Sequence, residues 1–102
     1  MTTKKKIQDS EWQQRLQTST SGNKGRTSAI ATEGMTIVAE KPLVGVTYDP
    51  VGKGNNIMIS VTGFSHTVDA PVELYLTEES NGVVSTLEVV DQNGNSTFLR
   101  IF

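Results

Sequence analysis

Residues 72–102 read Val72-Glu73-Leu74-Tyr75-Leu76-Thr77-Glu78-Glu79-Ser80-Asn81-Gly82-Val83-Val84-Ser85-Thr86-Leu87-Glu88-Val89-Val90-Asp91-Gln92-Asn93-Gly94-Asn95-Ser96-Thr97-Phe98-Leu99-Arg100-Ile101-Phe102. Apolar and polar side chains alternate through Val72, Leu74 and Leu76 and again through Leu87, Val89 and Leu99, the period-two signature of strands with one buried face. Asn81-Gly82 and Gln92-Asn93-Gly94 separate the runs, and both are hairpin signals. A two-residue turn at Asn81-Gly82 sets Leu76 opposite Leu87 and Leu74 opposite Val89. A four-residue loop from Glu79 to Gly82 instead sets Leu74 opposite Leu87, and either register keeps the leucines on one face. A three-residue turn with Gly94 in the left-handed position of a bulge sets Leu87 opposite Leu99 and leaves Glu88 diagonal to Arg100.

Val84, Val90, Phe98 and Phe102 fall on the face opposite those leucines, so this part of the sheet reads as apolar on both sides. Something must cover the second face, because an uncovered patch of that size marks an interface. The alternatives are an N-terminal helix carrying Trp12 or a second copy of the chain. Trp12, Val84, Val90, Phe98 and Phe102 are accordingly the candidate interface residues, and a homodimer is expected.

Upstream, the same grammar continues. Ile57, Ile59 and Val61 alternate with Met58, Ser60 and Thr62, and a short strand around His66 to Val68 leads to Ala70-Pro71. Glu33-Gly34 separates Thr27–Thr32 from Met35–Glu40, with Ile30 expected opposite Ile37. Pro42, lacking an N–H, suits the head of a strand over Leu43–Tyr48, and Asp49 to Asn55 reads as a loop. Six to eight short antiparallel strands follow from this spacing. The helix signal is Ser10-Glu11-Trp12-Gln13, a capping box with Ser10 as N-cap and Gln13 reaching back. Trp12 and Leu16 share one face, and Glu11 and Arg15 form an i,i+4 ion pair. Two apolar residues cannot hold a short helix in water, so this one must dock on the sheet. Thr18 to Gly25, nearly all Thr, Ser, Gly, Asn and Lys, reads as a flexible linker. The expected organisation is a basic, disordered arm over 1–9 and one domain over 10–102, with a helix over 10–18, the linker over 18–25 and the sheet over 26–102. The fold class is α+β: an N-terminal helix packed on a strongly curled antiparallel meander or a partly closed small β-barrel.

The chain has 102 residues, enough for a single core, with 35% hydrophobic and 20% charged residues, an ordinary globular balance on the polar side. No apolar run approaches the roughly 20 residues of a membrane span, and Lys4 to Lys6 are not followed by the apolar stretch of a signal peptide. Zero cysteines leave no disulfide, thiolate metal site or thiol nucleophile, and a soluble, cytoplasmic protein is expected. The net charge of −2 is uneven: the basic excess lies before Thr27, and from there on three basic residues face nine carboxylates. Nucleic-acid binding by the main body is disfavoured, since it rests on a basic stripe. Lys4, Lys5 and Lys6 leave a basic arm as a separate candidate, set against a solvated terminus.

Motifs that could carry chemistry are weak. His66, the only histidine, follows Ser65 on a strand, where adjacent side chains point to opposite faces and cannot form a nucleophile–base pair. Gly52-Lys53-Gly54 lacks the upstream glycine and the Ser/Thr of a phosphate loop and precedes a strand rather than a helix. Asp91, Asn93 and Asn95 imitate the start of a calcium loop, but Gly94 comes two positions early and Phe102 stands where a glutamate belongs. Glu73, Glu78, Glu79 and Glu88 read as a solvated acidic face rather than a catalytic pair. No catalytic residue, cofactor or metal site follows.

The order of elements resembles an uncharacterised bacterial family, domain of unknown function 5335. The likeness runs through Ile7 with Glu11-Trp12, Pro42-Leu43 with Gly45, Ile57 to Val61, His66-Thr67 followed by Pro71, Leu76 to Glu79, and Leu87-Glu88 with Gly94 and Thr97 to Arg100. The family has no assigned activity, so the resemblance implies a stand-alone small domain and supplies no catalytic residue. Three functional readings stand side by side. The first is a non-enzymatic module acting through protein contacts, self-association included. The second is a ligand-binding or enzymatic barrel using His66, Lys53 and the 49–54 loop. The third is a nucleic-acid accessory using the basic arm.

Overall fold

The computed structural model describes residues 3–32, 35–49, 52, 54–80 and 84–102, and for Thr20 the backbone alone. The elements run β1 (Thr3–Ile7), a 3₁₀ turn (Asp9–Glu11), α1 (Trp12–Asn23), β2 (Thr27–Thr32), β3 (Met35–Asp49), β4 (Asn56–Val61), β5 (Phe64–Asp69), β6 (Pro71–Glu78), β7 (Val84–Asp91) and β8 (Ser96–Ile101). All strand pairings are antiparallel, in the order β1-β6-β7-β8-β2-β3-β4-β5. The α+β class therefore holds, while the barrel does not: the sheet is open, with β1 and β5 at its edges.

The C-terminal hairpins adopt the tighter of the two registers, with Leu76 opposite Leu87, Leu74 opposite Val89 and Leu87 opposite Leu99. Asn81-Gly82 itself, like Glu33-Gly34, lies outside the described residues. Gly94, at φ +84°, ends the second turn, where its N–H bonds the Asp91 carbonyl at 3.0 Å. These leucines join Ile30, Ile57, Ile59, Val61, Leu99 and Ile101 in one core cluster.

Register slips shift the simple alternation, because each extra residue in a ladder reverses the facing beyond it. The β6–β7 register slips between Thr77 and Glu78, which turns Val84 into the core rather than onto the outer face. A slip between Pro71 and Glu73 leaves Val72 half exposed instead of buried with Leu74. On β3 the bulges put Val38, not Ile37, opposite Ile30. There Glu40 takes a left-handed φ of +55°, and the two stretches expected as separate strands form one. The first half of β3 pairs with β2 and the second with β4, so this strand joins the two parts of the sheet.

The N-terminal third departs furthest from expectation. The arm expected to be disordered over 1–9 forms β1 from Thr3 to Ile7, paired with β6 from Lys4 opposite Thr77 to Ile7 opposite Leu74. Its lysines lie over acidic neighbours and its Ile7 enters the core, which supplies what a solvated terminus lacks. The capping box does not form: the chain takes a 3₁₀ turn, Glu11 is the N-cap of α1, and no side chain caps it. Trp12 and Leu16 are buried in the core cluster, each worth roughly 1.5–3 kcal/mol of burial, which offsets the weak intrinsic helicity. The stretch expected as a linker is helical to Asn23. Buried Asn23 donates to the Ser19 carbonyl at 2.8 Å and accepts from Arg26 Nη1 at 2.6 Å, so docking overrides the poor propensity of this Ser/Thr/Gly run. Among the described residues no helix is long and apolar enough to cross a membrane.

Candidate functional site

Side chains on the outward face of the sheet divide into a charged half and an apolar half. On the outer face of β1, β6 and β7, Lys4 pairs with Glu88 at 2.7 Å and Lys6 with Glu73 at 3.9 Å, while Lys5, opposite buried Leu76 and so on the helix side, pairs with Glu78 at 3.6 Å. Arg15 on α1 reaches Glu78 at 3.0 Å, rather than the expected Glu11. Lys4 also sits 4.8 Å from the centroid of the Tyr75 ring, whose hydroxyl donates to Glu73, and Ser96 donates to Glu88 at 3.1 Å. The Glu73 bond raises the Tyr75 pKa above its usual 10.0, helped by desolvation and by the charges of Glu73 and Glu88. Glu73, Glu78 and Glu88 are thus ion-paired rather than simply solvated. Each lysine of the basic arm thus faces a carboxylate of β6 or β7 while its side chain stays more than half exposed.

On β8, β2 and β3 the outer face is apolar. Phe98 and Phe102 border a shallow groove of about 470 Å³ floored by Ala29, Ala31 and Ala39 and edged by Met35, Glu40 and Arg100. Alternation places Ala29 opposite Arg100 and Ala31 opposite Phe98, behind which Ile30 and Leu99 face the core. Met35 and Phe102 are 67% and 63% exposed, the two most exposed large apolar side chains among the described residues.

A second, polar cleft of about 610 Å³ opens where edge strand β5 approaches the β7–β8 turn. His66, Asp69, Asp91, Asn93, Asn95 and Thr97 line it. Asp91 Oδ1 accepts the N–H groups of Asn93 and Asn95 at 2.9 and 3.0 Å, so the Asp-Asn-Asn series is an ordered turn, as its glycine spacing implied. The Gln92 N–H bonds the Ala70 carbonyl at 3.0 Å and fastens that turn to the β5–β6 corner. Among the described residues no three His, Asp or Glu side chains converge to hold a metal ion.

The residues singled out from sequence are therefore dispersed. Trp12 is 2% exposed; its Nε1 donates to the Ile7 carbonyl at 2.9 Å, and its ring meets Tyr48 edge-on at 5.2 Å. It belongs to the interior, as does Val84 at 9% exposed, rather than to the outer face where the sequence reading placed Val84. Val90 is half buried on the outer face between Glu73 and Ser96, away from the groove. Phe98 and Phe102 do come together, and Met35, Ala29, Ala31 and Ala39 join them. The alternation of Ala29 and Ala31 with Ser28 and Ile30 was the available signal for these neighbours. His66 is half buried on β5, and Lys53 lies outside the described residues. Of the 49–54 loop, Asp49 lines a separate cleft against α1 with Gln13 and Gln17, so the structure does not join it to His66.

Among the described residues the arrangement defines a small α+β domain: one open antiparallel sheet, one helix on its core face, and two surface hollows that meet at Thr32. The chain belongs to the family of unknown function DUF5335, whose profile matches residues 3–101, in agreement with the resemblance carried by Glu11-Trp12, His66-Thr67 and Thr97 to Arg100. It is also similar to an uncharacterized protein of Aquifex aeolicus (strain VF5), 39% identical over 64 residues, which covers 63% of this chain. The match spans 56% of that relative's length. No solved structure matches.

Proposed function

We propose that this chain is a non-catalytic module that self-associates through the outer face of β8, β2 and β3. The observation that carries the reading is the apolar groove with Phe102 and Met35 projecting beside an alanine floor. Large apolar side chains beside small ones give both a knob and a hole, which a second copy needs, because a two-fold contact presents the same surface to itself. Glu40 and Arg100 edge the same groove with opposite charge, so an antiparallel approach sets each against the other's counterpart. The reading also takes the sheet to curl around its single core, supported by β3 pairing with different partners along its two halves. Curling gathers the buried residues within and leaves this outer patch without cover.

Sedimentation of the full chain over a wide concentration range tests the reading. A dimer that becomes a monomer in Phe102→Asp, with unchanged circular dichroism, is the expected result. A wild-type chain that stays monomeric at the highest concentration overturns it.

A further inference from the structure

The polar cleft beside β5 differs in chemistry from the groove, which it meets at Thr32. Thr97 lies on the inward side of β8, only 6% exposed, yet lines this cleft together with the buried Val68 of β5. Its hydroxyl makes no hydrogen bond among the described residues, and no side-chain polar atom there is both sealed from solvent and unpartnered. The hydroxyl therefore opens into the cleft, where an occupant is its available partner. A hydroxyl on a buried residue that reaches the cleft without a protein partner is open to water or to a ligand there.

The walls state what kind of occupant fits. Asp69 stands on the β5 side and Asp91 on the turn side, with no lysine or arginine among the lining residues. Neither aspartate has an ion pair among the described residues, in contrast to Glu73, Glu78 and Glu88. Asp91 commits Oδ1 to two backbone N–H groups, and Oδ2 has no partner among the described residues. Amide and hydroxyl groups of Asn93, Asn95 and Thr67 complete a wall rich in acceptors. The carboxylates do not converge with His66 as metal ligands, so a point-like cation is poorly served. The surrounding chain, acidic from Thr27 onward, adds a field that concentrates cations.

We infer that this cleft binds a small, extended organic cation carrying ammonium or guanidinium groups, one end toward Asp69, the other toward Asp91, with Thr97 accepting a hydrogen bond between them. Backbone amide NMR of the full chain, titrated at low ionic strength with 1,4-diaminobutane, tests it, and 1,4-butanediol serves as the uncharged control. Saturable shifts confined to residues 66–70 and 91–97 are expected with the diamine and not with the diol. Asp69→Asn, at an exposed position that leaves the fold intact, weakens binding about tenfold, as loss of a charge-assisted bond implies. Thr97→Val, equal in volume, weakens it by about threefold to tenfold. Shifts spread over Glu73, Glu78 and Glu88, equal binding of the diol, unchanged binding by Asp69→Asn, or no saturation would each overturn the inference. Sedimentation plays no part in these readouts, so failure here is distinct from failure of self-association.

Discussion

Replacing Trp12 with phenylalanine tests how the N-terminal third is held. Trp12 is the chain's only tryptophan and joins three things: α1, the Ile7 carbonyl at the end of β1, and Tyr48 on β3. Phenylalanine keeps a ring for Tyr48 but has no N–H, so the buried Ile7 carbonyl loses its donor at a cost of about 1–3 kcal/mol. The smaller ring also leaves a space equivalent to one or two methylenes, about 1–2 kcal/mol. The two terms give roughly 2–5 kcal/mol, a large share of the ~5–15 kcal/mol total of a domain this small. Urea denaturation followed by far-ultraviolet circular dichroism reads the loss as a midpoint lowered by about 1–5 M, at a slope near 1–1.5 kcal/mol/M. Trp12→Ala must cost more, about 3–5 kcal/mol, since the aromatic contact also goes. A Trp12→Phe loss below about 1 kcal/mol would refute the reasoning, because it would mean that the indole N–H is solvated in solution and α1 is not docked through it.

Two other perturbations probe local features. Glu73→Gln removes the carboxylate that holds the Tyr75 proton, so the Tyr75 titration, followed by tyrosinate absorbance, moves down toward 10.0. Because the folded-state value is raised, the stabilisation is fully present below the unfolded pKa and is lost as pH rises through the folded one; a titration that does not move removes the bond. Gly94→Ala places a Cβ on a residue at φ +84° with no heavy atom within 4 Å of it. The cost is then purely conformational, about 1–2 kcal/mol by thermal melting, and a neutral effect would mean that the turn is not left-handed at Gly94.

Sheet residues were legible where one face is dry and the turn chemistry is explicit. Leu74, Leu76, Leu87 and Leu99 needed only period two and a glycine-bearing turn to be placed opposite one another. Val84 and Val72 failed for a single reason: each lies beyond a register slip, and a bulge has no composition signal strong enough to reveal which residue is extra. Taking Val84 for an outer residue made the second apolar face seem to lie on β7, whereas it lies on β2, β3 and β8. The helical Thr18–Asn23 run was illegible for another reason. Its stability comes from the burial of Trp12, Leu16, Ser19 and Asn23 against the rest of the fold, a tertiary term that propensity cannot contain. The cleft was half legible. His66 and the Asp91–Asn95 turn were both singled out, but nothing local shows that the β5 edge approaches the β7–β8 turn, because that proximity is set by β3 crossing between the two parts of the sheet.

The two candidate surfaces meet at adjacent residues of β8. Thr97 and Phe98 point to opposite sides of one strand, Thr97 into the polar cleft and Phe98 into the apolar groove. On β8, period two thus separates two chemistries by a single peptide unit, and the two hollows meet only at Thr32 on β2 among their lining residues. The edges of the sheet follow a related logic. β1 carries Lys4, Lys5 and Lys6 in succession, which discourages further strand addition, and each lysine is occupied by a glutamate of β6 or β7. β5 carries no lysine or proline. What borders it instead is the Asp91–Asn95 turn, tied to Ala70 through Gln92. That tie limits access to β5 near Ala70 while holding the cleft open, so the feature that shields part of the edge also forms one wall of the candidate binding site.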